Sequence, residues 1–245
     1  MTTHIIASRN EWLDARRDLL AAEKDLTRRG DEVTRLRRQM PWVRVEKSYV
    51  FEGPDGAVTL ADLFAGRSQL IVQQFMLAPG WEQGCKSCSY MADHTDAMAI
   101  HLAHRDVTMV AISRAPFVEI ERFRARMGWQ FPWVSSHDND FNYDYGVSFT
   151  PDDVANGALN YNFGKPAFRD ELPGVSVFAT DDAGAVFHTY STYGRGVEVM
   201  MGTYRMLDLV PKGRDEHGHN MSWVCHHDRY EPQLAKAGTC CAAHK

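Results

Sequence analysis

The stretch from Leu70 to Cys88 constrains the fold of this chain most tightly. Leu70 to Leu77 is a mostly apolar run that includes the β-branched residues Ile71 and Val72, the composition of a strand buried on both faces. It breaks at Ala78-Pro79-Gly80 and, past Gly84, reaches Cys85-Lys86-Ser87-Cys88. Ser89 to Arg105 then reads as a helix, with Met91, Met98, Ile100 and Leu102 among its apolar positions, and Val107 to Ile112 reads as a second buried strand. Strand, helix and strand in that order predict a parallel α/β core, because parallel neighbours need a crossover connection.

The flanking segments extend this pattern. Ser8 and Glu11 form a capping-box signature ahead of Trp12, Ala15, Leu19 and Leu26, which predicts an N-terminal helix interrupted near Gly30. A second piece, Asp31 to Met40, carries Arg35, Arg37 and Arg38 as a solvated face. From Trp42 the residues favour strands, with a hairpin across Gly53-Pro54-Asp55-Gly56 and a short helical turn before Gly66. Pro116 to Met127 predicts a helix, Gly128 to Phe149 an aromatic-rich loop, and Pro151 to Pro173 an inserted excursion. Val175 to Phe178 and Val186 to Tyr190 flank Asp181-Asp182-Ala183-Gly184, a hairpin signature. A final helix or loop covers Gly196 to Leu209. The expected organisation is a helical extension over 1–41, one α/β domain over 42–210 with an insertion near 150–172, and a polar Cys/His-containing tail over 211–245.

Composition narrows the class of function. A net charge of −5 supplies no basic field for nucleic acid or an anionic membrane. Met1 to Ile6 lacks the pattern of a secretory leader, and no run approaches the ~20 apolar residues of a membrane span, so the expected location is cytoplasmic. Five cysteines, an odd number, argue against a disulfide framework. In a reducing compartment a close pair is catalytic, redox-active or metal-binding.

At a helix N-terminus, the unpaired amides and the dipole stabilise a thiolate on the first cysteine of Cys-x-x-Cys. Cys85 is therefore the expected nucleophile and Cys88, one turn on, the resolving thiol. Lys86 adds a nearby positive charge; Trp81, Lys86 and Ser87 are candidate substrate contacts. Arg195, between Gly194 and Gly196, is placed either to hold an anionic substrate group or to form a structural salt bridge. This reading needs no cofactor, and its partners are a disulfide-containing protein or small thiol substrate and a cellular reductant, with a homodimer as an option. Cys-x-x-Cys is also half of many zinc sites. The alternative is therefore a soft-metal protein for copper, zinc or mercury, using Cys85 and Cys88 with Cys240 and Cys241, or with Cys225 and the histidines His217, His219, His226, His227 and His244. His94 is expected to face away from the dithiol, and the aromatics Trp129, Phe131, Trp133, Phe141, Tyr143, Tyr145 and Phe149 to pack in the core or wall a pocket.

A buried strand entering a Cys-x-x-Cys helix, then a strand, a helix, a proline and a hairpin, is similar to the thioredoxin fold, a central mixed sheet flanked by helices. That resemblance places Pro173 where the family has a cis-proline facing the dithiol, with Pro166 as the competing choice. The chain further resembles a bacterial family of thioredoxin-like proteins regarded as dithiol–disulfide oxidoreductases. This rests on Tyr49-Val50-Phe51-Glu52-Gly53-Pro54-Asp55-Gly56, Gln74-Phe75-Met76, Gly84-Cys85-Lys86-Ser87-Cys88-Ser89, Gly128 to Ser136, and Tyr190 to Gly196. Two departures narrow the implication. Gly84 stands where thioredoxin has tryptophan, and Ala78 and Glu82 stand where peroxiredoxins carry proline and threonine ahead of the reactive cysteine.

Overall fold

The computed structural model describes residues 4–157, 160–216, 218 and 220–230. The chain forms two compact units, Met1–Pro41 and Trp42–Lys245. The first holds one helix, α1 (Arg9–Arg38). Its start is closed by the predicted capping box: the Ser8 N–H donates to the Glu11 carboxylate at 2.8 Å and the Glu11 N–H to Ser8 Oγ at 3.4 Å. The predicted interruption at Gly30 is corrected, since α1 runs through it unbroken. One glycine costs a helix about 1 kcal/mol relative to alanine, and ion pairs such as Arg35–Glu32 at 2.7 Å and Arg28–Asp25 lie on either side. No residue of α1 is buried.

The second unit is built on an eight-stranded sheet. In chain order its strands are β1 (Val43–Arg44), β2 (Val50–Gly53), β3 (Gly56–Thr59), β4 (Gln69–Gln74), β5 (Val107–Ser113), β6 (Trp133–Ser135), β7 (Gly174–Thr180) and β8 (Val186–Tyr193). Their order across the sheet is β1-β8-β7-β4-β5-β6-β2-β3. The central strand β4 pairs parallel with β5 and antiparallel with β7, and β7 pairs antiparallel with β8. Helix α2 (Lys86–Ala103) connects β4 to β5, and α3 (Phe117–Met127) follows β5. This is a thioredoxin-like fold, as the strand and helix order predicts. The turn between β2 and β3 needs Gly56, whose φ of 105° lies in the left-handed region.

Alternation along β4 divides the core. Leu70 and Val72 pack with Phe51, Phe64, Val110, Ile112 and Phe178 on one face, while Ile71 meets a cluster containing Tyr90, Met91, Val175 and Tyr204. Past the end of β4, Phe75 enters a third cluster with Phe123, Trp129, Phe131 and Trp133. The predicted aromatic loop is thus partly regular: it contains β6 and the short helix α4 (Phe141–Asp144). Three-residue β6 escapes a period-2 reading because all its side chains are buried. The excursion contains α5 (Pro151–Ala155) and then returns through buried Tyr161 and Ala167. A 3₁₀ segment, Gly194–Met200, and α6 (Gly202–Leu207) follow β8. The region expected to be a polar tail begins differently, since Val224, Cys225 and His226 are buried. Among the described residues no helix is long and apolar enough to cross a membrane.

Candidate active site

The chain leaves β4 through Met76 and returns to it at Cys85, whose N–H donates to the Met76 carbonyl at 3.0 Å. Between them Gly80 takes a φ of 77° and its N–H donates to Glu119. Gly84 then fits a gap that admits no side chain: a Cβ there would sit 2.5 Å from Phe75 Cε1 and 2.7 Å from Phe123 Cε1. Thioredoxin's tryptophan is therefore sterically excluded at this position. The Gly84 carbonyl accepts a hydrogen bond from His226 Nε2 at 2.8 Å, and the His226 ring stands edge-on to Phe123. These contacts place Cys85 as the N-cap of α2, where its carbonyl accepts from the Ser89 N–H and hydroxyl, each at 2.9 Å.

Both cysteines are free thiols, Cys85 half-buried and Cys88 buried. Cys85 is drawn down to about 6, first by the Cys88 thiol donating to it and then, against the opposing effect of burial, by the amides of Cys88 and Ser87 and the Ser87 hydroxyl. Cys88 moves the other way: donating its proton to Cys85 holds it well above the ordinary range, with burial and the charge on Cys85 adding to this. That direction favours the thiolate of Cys85 over its thiol near neutral pH. The pair thus presents one ready nucleophile and one reserve thiol. Behind Cys88, its own carbonyl accepts from the buried amide of Gln73 at 3.1 Å, which locks the first turn of α2 onto β4.

The dithiol opens onto a cavity of about 380 Å³. Cys85, Ser87 and Cys88 form one wall; Leu172 and Pro173, Gly194 to Glu198, and Asn220 with Met221 supply others. The fold thus brings Ser87, Pro173 and Arg195 around one space with the two cysteines. Arg195 is also a salt-bridge residue, its guanidinium 2.8 Å from Glu198. Lys86 reaches instead toward the Ser222 carbonyl at 3.5 Å, and Trp81 packs with Cys85 against the aromatic cluster, outside the cavity lining. The isomer of Pro173, which the resemblance leaves open, is trans, since no described peptide bond is cis. Here the Leu172 N–H is tied to Val147 O at 2.8 Å and Pro173 O accepts from Tyr161 at 2.9 Å, so the segment enters β7 extended. His94 points away as expected, bonding Tyr90 O and Thr203. The aromatics of 129–149 are absent from the cavity wall; all but Tyr143 pack in or against the core, Tyr145 half-buried, while Tyr143 is exposed beside Arg114.

Two residues of the site, Glu171 and Tyr161, escape the sequence, and a third, His226, enters it only as a candidate metal ligand. Glu171 is almost fully buried, bonded to Ser148 at 3.0 Å and to Arg114 Nε at 2.6 Å; burial nonetheless pushes its carboxyl up, and its charge helps hold Cys88 protonated. Tyr161 braces the cavity, accepting from the Gly194 N–H at 2.8 Å while donating to Pro173 O. His226 fixes Gly84, as described above. Glu171 is two residues from Pro173, its one signal; the segment of Tyr161 carries none, and the histidine and cysteine cluster around His226 points to a metal site rather than to the Gly84 carbonyl.

For the metal alternative, Cys240, Cys241, His217, His219 and His244 lie outside the described residues. Among the described residues no group of three or more His, Cys, Asp or Glu side chains is arranged to hold a metal ion. His227 pairs with Asp93 at 2.6 Å, and His226 with Gly84.

No curated protein matches this chain. Among solved structures, peroxidoxin BcpB from Mycobacterium tuberculosis is similar at 15% identity and a TM-score of 0.45, over 68% of this chain and 96% of that one. Peroxiredoxin Q from Xanthomonas campestris is similar at 12% identity and a TM-score of 0.43, over 64% and 89% of the two chains. A Chlorobium tepidum protein described as a thiol:disulfide interchange protein, DsbE, is similar at 14% identity and a TM-score of 0.39, over 69% and 98%. Residues 1–230 match a bacterial family, and by that extent the chain belongs to it: DUF899, described as a bacterial protein of unknown function.

Proposed function

We propose that this protein is a thiol–disulfide oxidoreductase in which Cys85 attacks a substrate disulfide and Cys88 resolves the mixed disulfide. The observation that carries the reading is the unequal pair: a thiolate at the start of α2, held by the Cys88 thiol and the helix amides, facing an open cavity. Cys85 thiolate attacks one substrate sulfur, the substrate S–S bond breaks, and the departing thiolate takes a proton. Once Cys85 is bound in the mixed disulfide it no longer accepts the Cys88 proton, so the factor that raised Cys88 most is gone. Cys88 then loses its proton and attacks Cys85 sulfur, the second substrate thiol leaves, and the protein has given up two electrons as a Cys85–Cys88 disulfide. A cellular reductant returns it to the dithiol.

The test is the pH dependence of Cys85 alkylation by iodoacetamide, followed by mass spectrometry, together with equilibration in mixtures of reduced and oxidised dithiothreitol. An alkylation midpoint near 6 and a reversible Cys85–Cys88 disulfide are expected. A midpoint in the ordinary thiol range near ~8.5, or failure to form that disulfide, overturns the proposal.

A further inference from the structure

Resting on that reading, we infer that the substrate is a small disulfide with an aliphatic body and an acidic end, rather than a protein disulfide. The cavity beside Cys85 falls within the range of small-molecule pockets, about 300–1,000 Å³. Its walls come from separate parts of the chain: Met76 past β4, the start of α2, Tyr161, the excursion at Phe168 to Pro173, the turn at Gly194 to Met201, and Asn220 with Met221. A polypeptide disulfide must bring its flanking backbone alongside the attacked sulfur, and those walls flank the half-buried Cys85. The interior is set by Met76, Met91, Leu172, Val197, Met201 and Met221, flexible and apolar side chains that accommodate methylene groups. Arg169 lines the same cavity, its guanidinium 5.1 Å above the Phe168 ring, while Arg195 is engaged by Glu198. A carboxylate is therefore recognised at the Arg169 side.

The probes are 4,4′-dithiodibutyrate, its neutral dimethyl ester and insulin, each mixed with the reduced full-length protein while formation of the Cys85–Cys88 disulfide is timed. Dithiodibutyrate should react faster than insulin by about a hundredfold, the difference expected when a substrate fits the site and its competitor is sterically barred. Arg169→Ala should slow dithiodibutyrate about threefold and leave the ester unchanged. Insulin reacting as fast as dithiodibutyrate overturns the size assignment, and an unchanged dithiodibutyrate rate in Arg169→Ala overturns the acidic end. Either result leaves the exchange chemistry standing. Reaction with none of the three disulfides, in protein whose dithiol also fails the dithiothreitol equilibration, rejects that chemistry instead.

A separate observation carries a second inference. Trp12, Leu19, Leu26 and Val33 recur along α1 at seven-residue intervals, all exposed, and Ile5 and Met40 continue the interval just outside the helix. We propose that α1 pairs in parallel with α1 of a second copy of this chain. A strict seven-residue apolar repeat is the signature of a left-handed coiled coil. With these residues at position a, Ala15, Ala22 and Leu36 occupy d, interrupted by Arg29. The flanking g row is acidic throughout: Glu11, Asp18, Asp25 and Glu32. An antiparallel partner would set that row against itself at every step, whereas a parallel one sets Glu11 against the second copy's Arg16 and Glu32 against its Arg37, with one like-charge pair, Asp18 against Glu23, and Asp25 facing Gly30.

Sedimentation equilibrium of the full chain should give a dimer. Leu19→Asp combined with Leu26→Asp should give a monomer whose Cys85 alkylation rate is unchanged, and Arg29→Leu should tighten the dimer. Ala15→Cys should cross-link on mild oxidation, since d positions meet only in the parallel arrangement. A monomeric wild type, or a dimer indifferent to the paired aspartates, overturns the interface; absence of the Ala15→Cys cross-link overturns the parallel direction.

Discussion

Ser8 and Cys85 each stand as the N-cap of a long helix, and the two helix starts use their amide groups in opposite ways. At Ser8 the hydroxyl and the Glu11 carboxylate engage local donors, and the helix that follows buries none of its residues. At Cys85 no side-chain cap bond closes the start; a sulfur occupies the place, and the amides of Ser87 and Cys88 draw it toward the thiolate. That helix buries six residues, from Cys88 through Ala92 and at Thr95, so its first turn is anchored by packing rather than by a cap. A helix anchored from behind can leave its N-terminal donors available for chemistry; a helix without such anchoring needs them for itself.

The largest expected effect separates the two starts outright. Cys85→Ser should lower disulfide exchange by about a thousandfold or more, as loss of a nucleophile does, while Cys88→Ser should accumulate the mixed disulfide. Ser8→Ala should leave exchange untouched. Comparable exchange in wild type and Cys85→Ser would erase the contrast.

A second prediction tests whether anchoring positions the sulfur. Gly84→Ala places a methyl group against the Phe75 and Phe123 rings, closer than carbon atoms approach. Overpacking of this kind costs about 1–3 kcal/mol, to be read from urea denaturation. Because the same shift moves the start of α2, the alkylation midpoint of Cys85 should rise toward that of an ordinary thiol. Destabilisation with an unchanged midpoint would mean that the aromatic cluster holds the fold but not the thiolate.

The third concerns pH. The folded pKa of Cys85, about 6, lies below its unfolded value near ~8.5. The unfolded chain therefore holds more protons between those values, and the reduced protein should gain stability as pH rises from about 6 to about 8.5, with no such contribution below the folded pKa. Cys85→Ser should flatten that rise. His226 lies at the same junction: burial holds its ring below the ordinary histidine range, so protonation of the unfolded chain should cost stability as pH falls through about 6.5. A His226→Gln variant that kept the full acid-side loss would assign it elsewhere.

These residues also mark what the sequence reveals. Cys85, Cys88 and the strand before them are legible because their relation is local: a buried run, a break and a one-turn spacing. The order of β4, α2, β5, β7 and β8 follows from periodicity and turn residues. Gly84 is visible as a departure from thioredoxin, but its cause is two rings from distant positions. Glu171 carries no local sign of burial, since its partners Arg114 and Ser148 meet it only after the sheet has formed. His226 reaches Gly84 from 142 residues away. Its segment reads as polar tail because only three consecutive residues, Val224 to His226, are buried among exposed and half-buried neighbours, too short a run to show a period. Gly30 misleads in the opposite direction, as a local breaker overruled by the length of α1.

The smallest effect is expected at Ser8 itself. Ser8→Ala removes the hydroxyl that accepts from the Glu11 N–H and leaves the Glu11 carboxylate its bond to the residue 8 amide, so the cap is halved rather than lost. The expected cost is about 1 kcal/mol, confined to the first turns of α1. Hydrogen exchange of the amides at and just after Glu11 should therefore speed up about fivefold, with no change at the amides of α2. The converse variant, Cys85→Ser, offers α2 the oxygen cap that Ser8 gives α1, and should slow exchange of the Ser87 and Cys88 amides while abolishing the thiolate. If the α2 amides were no better protected in Cys85→Ser, the donors there would already be as fully occupied by the sulfur as those of α1 are by Ser8, and the two helix starts would differ only in the atom that caps them.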